Sequence, residues 1–237
     1  MKRSEVNEIL LESNQFIRSF GYHLPTFAYW SVDQMIERVA TDSQEIYDSR
    51  MGWDITDYGQ GNFKDLGLFL FTTRNGMQSN VKRGMGMLYA EKIMISRESQ
   101  ISPMHHHNYK TEDIINRGGA TLVLELWSST AYGEIDSQAA VHVLVDGRRI
   151  SLEAGAYLAL KPGESVTLEP HHWHSFWGEG GDVLIGEVSN VNDDLADNIF
   201  RDPIGRFSQI EEDQDPVHLL VSDYDTWLSP AQSGQSK

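Results

Sequence analysis

The sequence predicts a mainly β protein, an antiparallel sandwich or jelly roll with an α-helical extension at its N-terminus. Three observations carry this. Short β-prone runs recur at roughly ten-residue spacing from about Leu66 onward, as in all-β sandwiches and barrels. Val141, Val143 and Val145 alternate with His142 and Leu144 up to Asp146-Gly147, and Ile150 and Leu152 resume beyond it, a tight-hairpin signal. Helical spacing is confined to the first sixty residues, so the alternation of helices and strands that a parallel sheet needs is missing.

Taken in order, Val6, Ile9, Leu10, Phe16 and Ile17 follow helical spacing and predict a first helix. Ser31 followed by Gln34 fits a capping box, and Met35, Ile36 and Val39 supply the apolar face of a second helix. Gly52, Gly59 and Gly61 then break the pattern. Strands are expected at Leu68–Thr73, ending in the turn Arg74-Asn75-Gly76, then at Met87–Ser96 and Ala120–Trp127. After the Asp146-Gly147 hairpin, further strands are expected at Ala156–Leu160, Ser165–Leu168, His174–Trp177 and Val183–Val188. The segment from Asp193 to Asp215 carries 8 acidic residues, and Ser229 to Lys237 is polar with little to bury and is expected to fray. At 237 residues the chain reads as a single domain: a helical extension over about 1–65, a barrel over about 66–188 and an acidic C-terminal segment over about 189–237.

Composition narrows the function classes. Lys and Arg total 19 against 35 Asp and Glu, a formal charge of −16, which disfavours phosphate backbones and anionic lipid. The longest basic groupings are pairs, Lys2-Arg3, Lys82-Arg83 and Arg148-Arg149, so no nucleic-acid partner is expected. There is no cysteine, which excludes disulfides, thiolate metal sites and cysteine nucleophiles. No run approaches ~18 apolar residues and Met1 to Leu10 lacks a signal-peptide core, so a cytoplasmic protein with no membrane partner is expected. A homodimer is expected because jelly-roll sheets expose edges that pairing protects.

Histidine is where the chemistry concentrates. Of nine histidines, six fall in two clusters, His105-His106-His107 and His171-His172-Trp173-His174. Residues two apart on a strand share a face, so His105 and His107 can aim at one point while His106 points away. Glu112 is five residues on, able to return across a turn, and His174 on a later strand could close the site. Three imidazoles and one carboxylate form a divalent-metal donor set that Mn²⁺, Fe²⁺, Co²⁺, Ni²⁺ or Zn²⁺ could fill.

These motifs resemble the cupin superfamily. His105, His107, Glu112 and Gly119 match its first motif, and Gly163 and His174 match its second. The resemblance departs at Ser99, where a glycine precedes the first histidine in the family pattern. It departs again at Glu169, His171 and Gly178, where the pattern has Pro, Gly and Asn. Within the superfamily, the Met1–Asn7 start, the Met104–Asp113 segment, Trp173-His174-Ser175-Phe176 and Gly186–Asp194 resemble the D-lyxose isomerase family. The resemblance covers most of the chain. It implies a cupin-type jelly-roll barrel and an aldose–ketose isomerase that interconverts D-lyxose and D-xylulose, and D-mannose and D-fructose, with Mn²⁺ favoured.

Such an isomerase moves a proton between C2 and C1 of the sugar through a cis-enediol, which calls for a carboxylate shuttle and a donor to the developing oxyanion. Glu187 is the first candidate shuttle, since it sits in an apolar strand thirteen residues after His174. Lys110, between His107 and Glu112, is the candidate oxyanion donor. Asp193 and Arg201 in the polar stretch after Glu187, and Trp30 ahead of the capped helix, are candidate sugar-binding residues. Two other readings keep the fold and change the activity: a cupin dioxygenase on the same three-His, one-Glu set, and a sugar-binding cupin without catalysis. A sugar phosphate would call for grouped Arg or Lys, which the sequence does not assemble.

Overall fold

The computed structural model describes residues 1–194 and 196–228, so the expectation for Ser229 to Lys237 lies outside the described residues. The chain opens with helix α1 (Arg3–Ser19), a 3-10 turn (Thr26–Tyr29), α2 (Val32–Thr41) and α3 (Gln44–Asp48). The capping box of α2 forms as expected. Ser31 Oγ accepts from the Gln34 N–H, and the Gln34 side chain accepts from the Ser31 N–H.

The strands follow as β1 (Gly52–Thr56), β2 (Leu68–Asn75), β3 (Tyr89–Ser96), β4 (Ser102–His107) and β5 (Glu112–Ser129). Next come β6 (Ile135–Asp136), β7 (Val141–Val145), β8 (Arg148–Leu152), β9 (Ala156–Leu160), β10 (Ser165–Leu168), β11 (Trp173–Asn190) and β12 (Asn198–Phe200). A short helix, α4 (Gln78–Arg83), lies between β2 and β3, and α5 (Tyr224–Trp227) ends the described chain. Among the described residues no helix is long and apolar enough to cross a membrane.

All the strand pairings are antiparallel, in the order β1-β2-β3-β11-β5-β10-β7-β8. The fold is mostly β, as the strand spacing predicts. Three details differ. The segment Gly52–Thr56, where Gly52 is read as breaking the helical pattern, is a strand paired with β2, ahead of the expected barrel start near Leu66. Its five residues between glycines are too few to show a period. The Arg74-Asn75-Gly76 turn leads into α4 rather than directly into the next strand. The two late runs around His174 and Glu187 are one continuous strand, β11, which runs antiparallel to β5 along almost its whole length.

Strand alternation sorts the apolar residues into two cores. Leu68, Leu70, Met94, Ile114, Phe176, Val183 and Ile185 fill the barrel interior. Phe69, Phe71, Ile93, Ile95 and Leu184 from the same strands face outward. There they pack beneath Val6, Leu10, Ile17, Met35 and Val39 of the helices and Leu220 and Tyr224 of the C-terminal segment. The helical extension therefore covers the outside of β1–β3, and the interior of the same sheet is left for the site.

Candidate active site

His105, His107 and His174 enter the barrel from neighbouring strands. β11 pairs with β4 so that His174 stands opposite His105, and their rings lie 4.1 Å apart. β12 backs the other side of β4, with Asn198 opposite His107. Glu112 opens β5 opposite Ser189, which brings its carboxylate beneath the histidines. One nitrogen from each of the three rings falls within 4.8 Å of the others. His106 points away, as alternation requires, and packs on Trp173 and His171.

Hydrogen bonding settles which nitrogen faces the centre. His105 Nδ1 lies 2.8 Å from the Pro103 carbonyl, His174 Nδ1 3.0 Å from that of His172, and His107 Nδ1 3.3 Å from that of Asp197. A carbonyl only accepts, so each Nδ1 carries a proton and Nε2 is the nitrogen left to face the centre. His107 Nε2 and His174 Nε2 both sit 3.3 Å from Glu112 Oε1. His174 Nε2 and Glu112 Oε1 are buried without a hydrogen-bond partner among the described residues. Burial, reinforced by the His174 and His107 rings, holds the His105 imidazole well below its ordinary value. Burial and then the Lys110 ammonium lower that of His107. Imidazole nitrogens converging on an ionised carboxylate fit a divalent cation, which His105, His107, Glu112 and His174 could hold.

From Glu112 a chain of alternating charges crosses the cavity wall. Lys110 Nζ lies 2.7 Å from Glu112 Oε2 and 3.1 Å from Glu187 Oε1. Lys92 Nζ lies 3.4 Å from that same Glu187 oxygen and 3.6 Å from Asp194 Oδ1. Arg206 Nη2 closes the chain, 3.2 Å from Asp194 Oδ2 and 2.7 Å from Asp54 Oδ2. Burial works to raise the Glu112 carboxyl, but the Lys110 ammonium and the His107 and His174 rings together outweigh it and hold the group well below the usual range. Burial likewise works to lower the Lys110 ammonium, and the Glu112 and Glu187 carboxylates outweigh it and raise it. Both groups are ionised. Asn192 Oδ1 accepts from Lys92 Nζ at 2.7 Å, and Ser189 Oγ donates to Glu187 Oε1 at 3.4 Å. Tyr58, Leu70, Met94, Asn198 and Phe200 complete the wall of the cavity.

The structure therefore gathers His105, His107, Glu112, His174, Lys110 and Glu187 around one cavity. It places the three candidate sugar-binding residues elsewhere. Trp30 packs in the outer core beside Phe27, with the Arg38 guanidinium over its ring, because its segment covers the outside of the sheet. Arg201 follows Phe200, which faces inward, so alternation turns it outward to pair with Asp202 at 3.0 Å on an exposed surface. Asp193 caps a turn by accepting from the Ala196 N–H and lines an outer cleft, while its neighbour Asp194 lines the cavity.

Sequence reasoning missed Lys92, Arg206, Asp54 and Tyr58, and in the polar stretch it preferred Asp193 to its neighbour Asp194. A signal existed for Lys92, which shares strand parity with Ala90 and Met94 and stands directly opposite Glu187. No such signal marks Arg206. It sits in an irregular segment and reaches the site because its carbonyl accepts from Thr56 Oγ1, and the Gly205 N–H bonds the Tyr58 carbonyl. Asp197 acts from behind. Its carboxylate accepts from the backbone N–H groups of Asn108, Tyr109 and Lys110 at 2.8, 2.9 and 3.0 Å, which fixes the turn that carries Lys110.

A jelly-roll barrel holding three convergent imidazoles and a glutamate on these strands is a cupin-type fold. Within that class, a family model described as D-lyxose isomerase matches residues 1–224. A D-lyxose/D-mannose isomerase of Serratia proteamaculans is 49% identical over 228 residues, covering 94% of this chain and 98% of the relative. One from Escherichia coli O157:H7 is 45% identical over the same shares. The chain belongs to the D-lyxose isomerase family and is a sugar isomerase. Among solved structures it resembles the L-ribose isomerase of Acinetobacter sp. DL28 in complex with L-ribose, with a TM-score of 0.58 and 14% identity over 89% of this chain and 98% of that one. At that identity the likeness is one of fold.

Proposed function

We propose that the protein is a metal-dependent aldose–ketose isomerase that interconverts D-lyxose with D-xylulose and D-mannose with D-fructose. The observation that carries this reading is the set of ring nitrogens converging beside the Glu112 carboxylate in the cavity that also holds Glu187 and Lys110. His105, His107, Glu112 and His174 would hold the ion, which when bound supplies Lewis-acid polarisation of the sugar carbonyl. Mn²⁺ is the ion we propose, and Co²⁺, Fe²⁺, Ni²⁺ and Zn²⁺ suit the same mixed donors.

Glu187 moves the proton between C2 and C1. As a buried carboxylate steadied by Lys110, Lys92 and Ser189 it can take the proton from one carbon and return it to the next. Lys110, held protonated by its two carboxylates, donates to the oxygen that gains charge as the enediol forms. The apolar belt of Leu68, Leu70, Met94 and Ile114 shields this charge from water. A cavity wall made of ionic side chains suits a polyhydroxylated substrate better than the aromatic substrates of a dioxygenase. A homodimer belongs to the same proposal, because β8 ends the sheet with one side unpaired among the described residues.

The test is reconstitution. Protein stripped with a chelator and given back Mn²⁺, Co²⁺, Fe²⁺, Ni²⁺ or Zn²⁺ in turn is assayed for ketose formation from D-lyxose and D-mannose. Activity should vanish on chelation and return with at least one ion. Ketose formation from neither sugar, with any ion, overturns the reading.

A further inference from the structure

The cavity contains Lys92, Lys110 and Arg206, the kind of grouped cations that bind a phosphate. None of them is free to do so. Lys110 is matched to Glu112 and Glu187, Lys92 to Glu187 and Asp194, and Arg206 to Asp194 and Asp54. Every cation lies between two carboxylates, and an entering phosphate would meet those carboxylates at close range in a site shielded from water.

Arg206 differs from the two lysines in one respect. Both its ion pairs run through Nη2, and Nη1 is buried with no hydrogen-bond partner among the described residues. A planar guanidinium holds its two amino groups in a rigid fork, so anchoring one fixes the direction of the other. A buried donor without an acceptor costs free energy, which a ligand hydroxyl in the cavity would recover. The order of the charge chain also sets where that hydroxyl lies. Glu112, at the imidazole cluster, is one end, and Asp54 and Arg206 are the other, with Lys110, Glu187, Lys92 and Asp194 between.

We infer that Arg206 binds a hydroxyl at the end of the sugar remote from the reacting carbons, and that Asp54 and Asp194, by cancelling its charge, make the site select unphosphorylated sugars over sugar phosphates. This rests on the isomerase reading above and adds a specificity determinant to it. Asp54 and Asp194 thus have a double task, to hold the fork in place and to make it a hydroxyl donor rather than an anion receptor.

Three measurements test it. In the wild type, D-mannose 6-phosphate should inhibit D-mannose isomerisation with an inhibition constant at least tenfold above the KM for D-mannose. Comparable values overturn the inference. Arg206→Lys keeps a cation between the carboxylates and loses the second amino group. Its KM for D-mannose should rise about tenfold with kcat changed much less, the loss of one charge-assisted hydrogen bond. An unchanged KM, or a fall in kcat alone, overturns it. Asp194→Asn removes one matching charge, and the ratio of the phosphate's inhibition constant to the KM should shrink about tenfold. A ratio equal to the wild type overturns the charge argument. Thermal unfolding confirms that each variant is folded, and the wild-type measurement decides even where a variant does not fold. A wild type that isomerises no unphosphorylated sugar sinks the isomerase reading instead, so the two failures are distinct.

Discussion

Glu187 shows how much a single position can reveal. It shares parity with Val183 and Ile185, which face the barrel interior, so an inward carboxylate was readable from the strand pattern. Its partners were not. Lys92 stands opposite it across β3, and Lys110 arrives from the turn before β5. Glu187→Gln keeps the size and the hydrogen-bonding reach of the side chain and removes its capacity to take a proton. The variant should retain stoichiometric metal by elemental analysis while kcat falls by about 10²–10⁴. Turnover near that of the wild type would move the shuttle to another carboxylate. Asp193 and Asp194 show the opposite case. Two adjacent aspartates in an irregular segment carry no periodicity, and which of them faces the cavity depends on Lys92 and Arg206 waiting there.

Among the elements, the turns are informative where the chain departs from the cupin pattern. Gly119, which matches that pattern, has φ 97°, and a Cβ there would lie 2.3 Å from the Asp182 carbonyl oxygen, so the glycine is needed for β5 to pass β11. At Ser99 and His171 the pattern has glycine and this chain does not, yet both residues keep the left-handed backbone, with φ 59° and 67°. The turn geometry persists because the pairing around it demands it. The Ser99 N–H still bonds the Gly178 carbonyl, and the His171 N–H bonds that of His107. A side chain in that conformation costs about 1–2 kcal/mol, part of which glycine's greater unfolded-state freedom would take back. Ser99 is exposed, so Ser99→Gly should stabilise the protein by up to about 1 kcal/mol in urea unfolding, with metal binding unchanged. A lower urea midpoint would show that the serine side chain supports the turn in some other way.

The whole molecule is held together by its two ends. Arg3 is fully buried and makes paired hydrogen bonds with Asp223, at 3.0 and 2.8 Å, and with Glu212, at 2.8 and 2.6 Å. Lys2 also bridges to Glu211, so α1 and the acidic C-terminal segment close over the outer core together. Part of the chain's negative charge is placed there for a reason, to receive the one guanidinium that α1 buries. Removing a partner from a buried ion pair costs about 3–5 kcal/mol because the remaining charge is stranded. Arg3→Met should therefore lower stability by about that much in equilibrium unfolding. Its far-ultraviolet spectrum should remain that of a β protein, since the barrel core does not include Arg3. A change within about 0.5 kcal/mol would mean that water reaches Asp223, as it already reaches Glu212, once the arginine is gone.

The sequence alone determined the class of fold and nominated the four candidate metal ligands and the candidate shuttle and donor, because each of these obeys a short-range rule. Alternation gives strands their faces, His-x-His puts two rings on one side, and a carboxylate among apolar strand residues has to point somewhere useful. Tertiary structure alone assembled the rest. Arg206 and Asp54 lie 152 positions apart and meet at 2.7 Å. Trp30 and Arg201 were plausible sugar contacts by residue type, and packing turned one under the helices and the other to solvent. Strand periodicity carries information over a few residues. Which strand, turn or irregular segment stands across the cavity depends on how twelve strands pair, and pairing between distant segments leaves no mark in the local pattern.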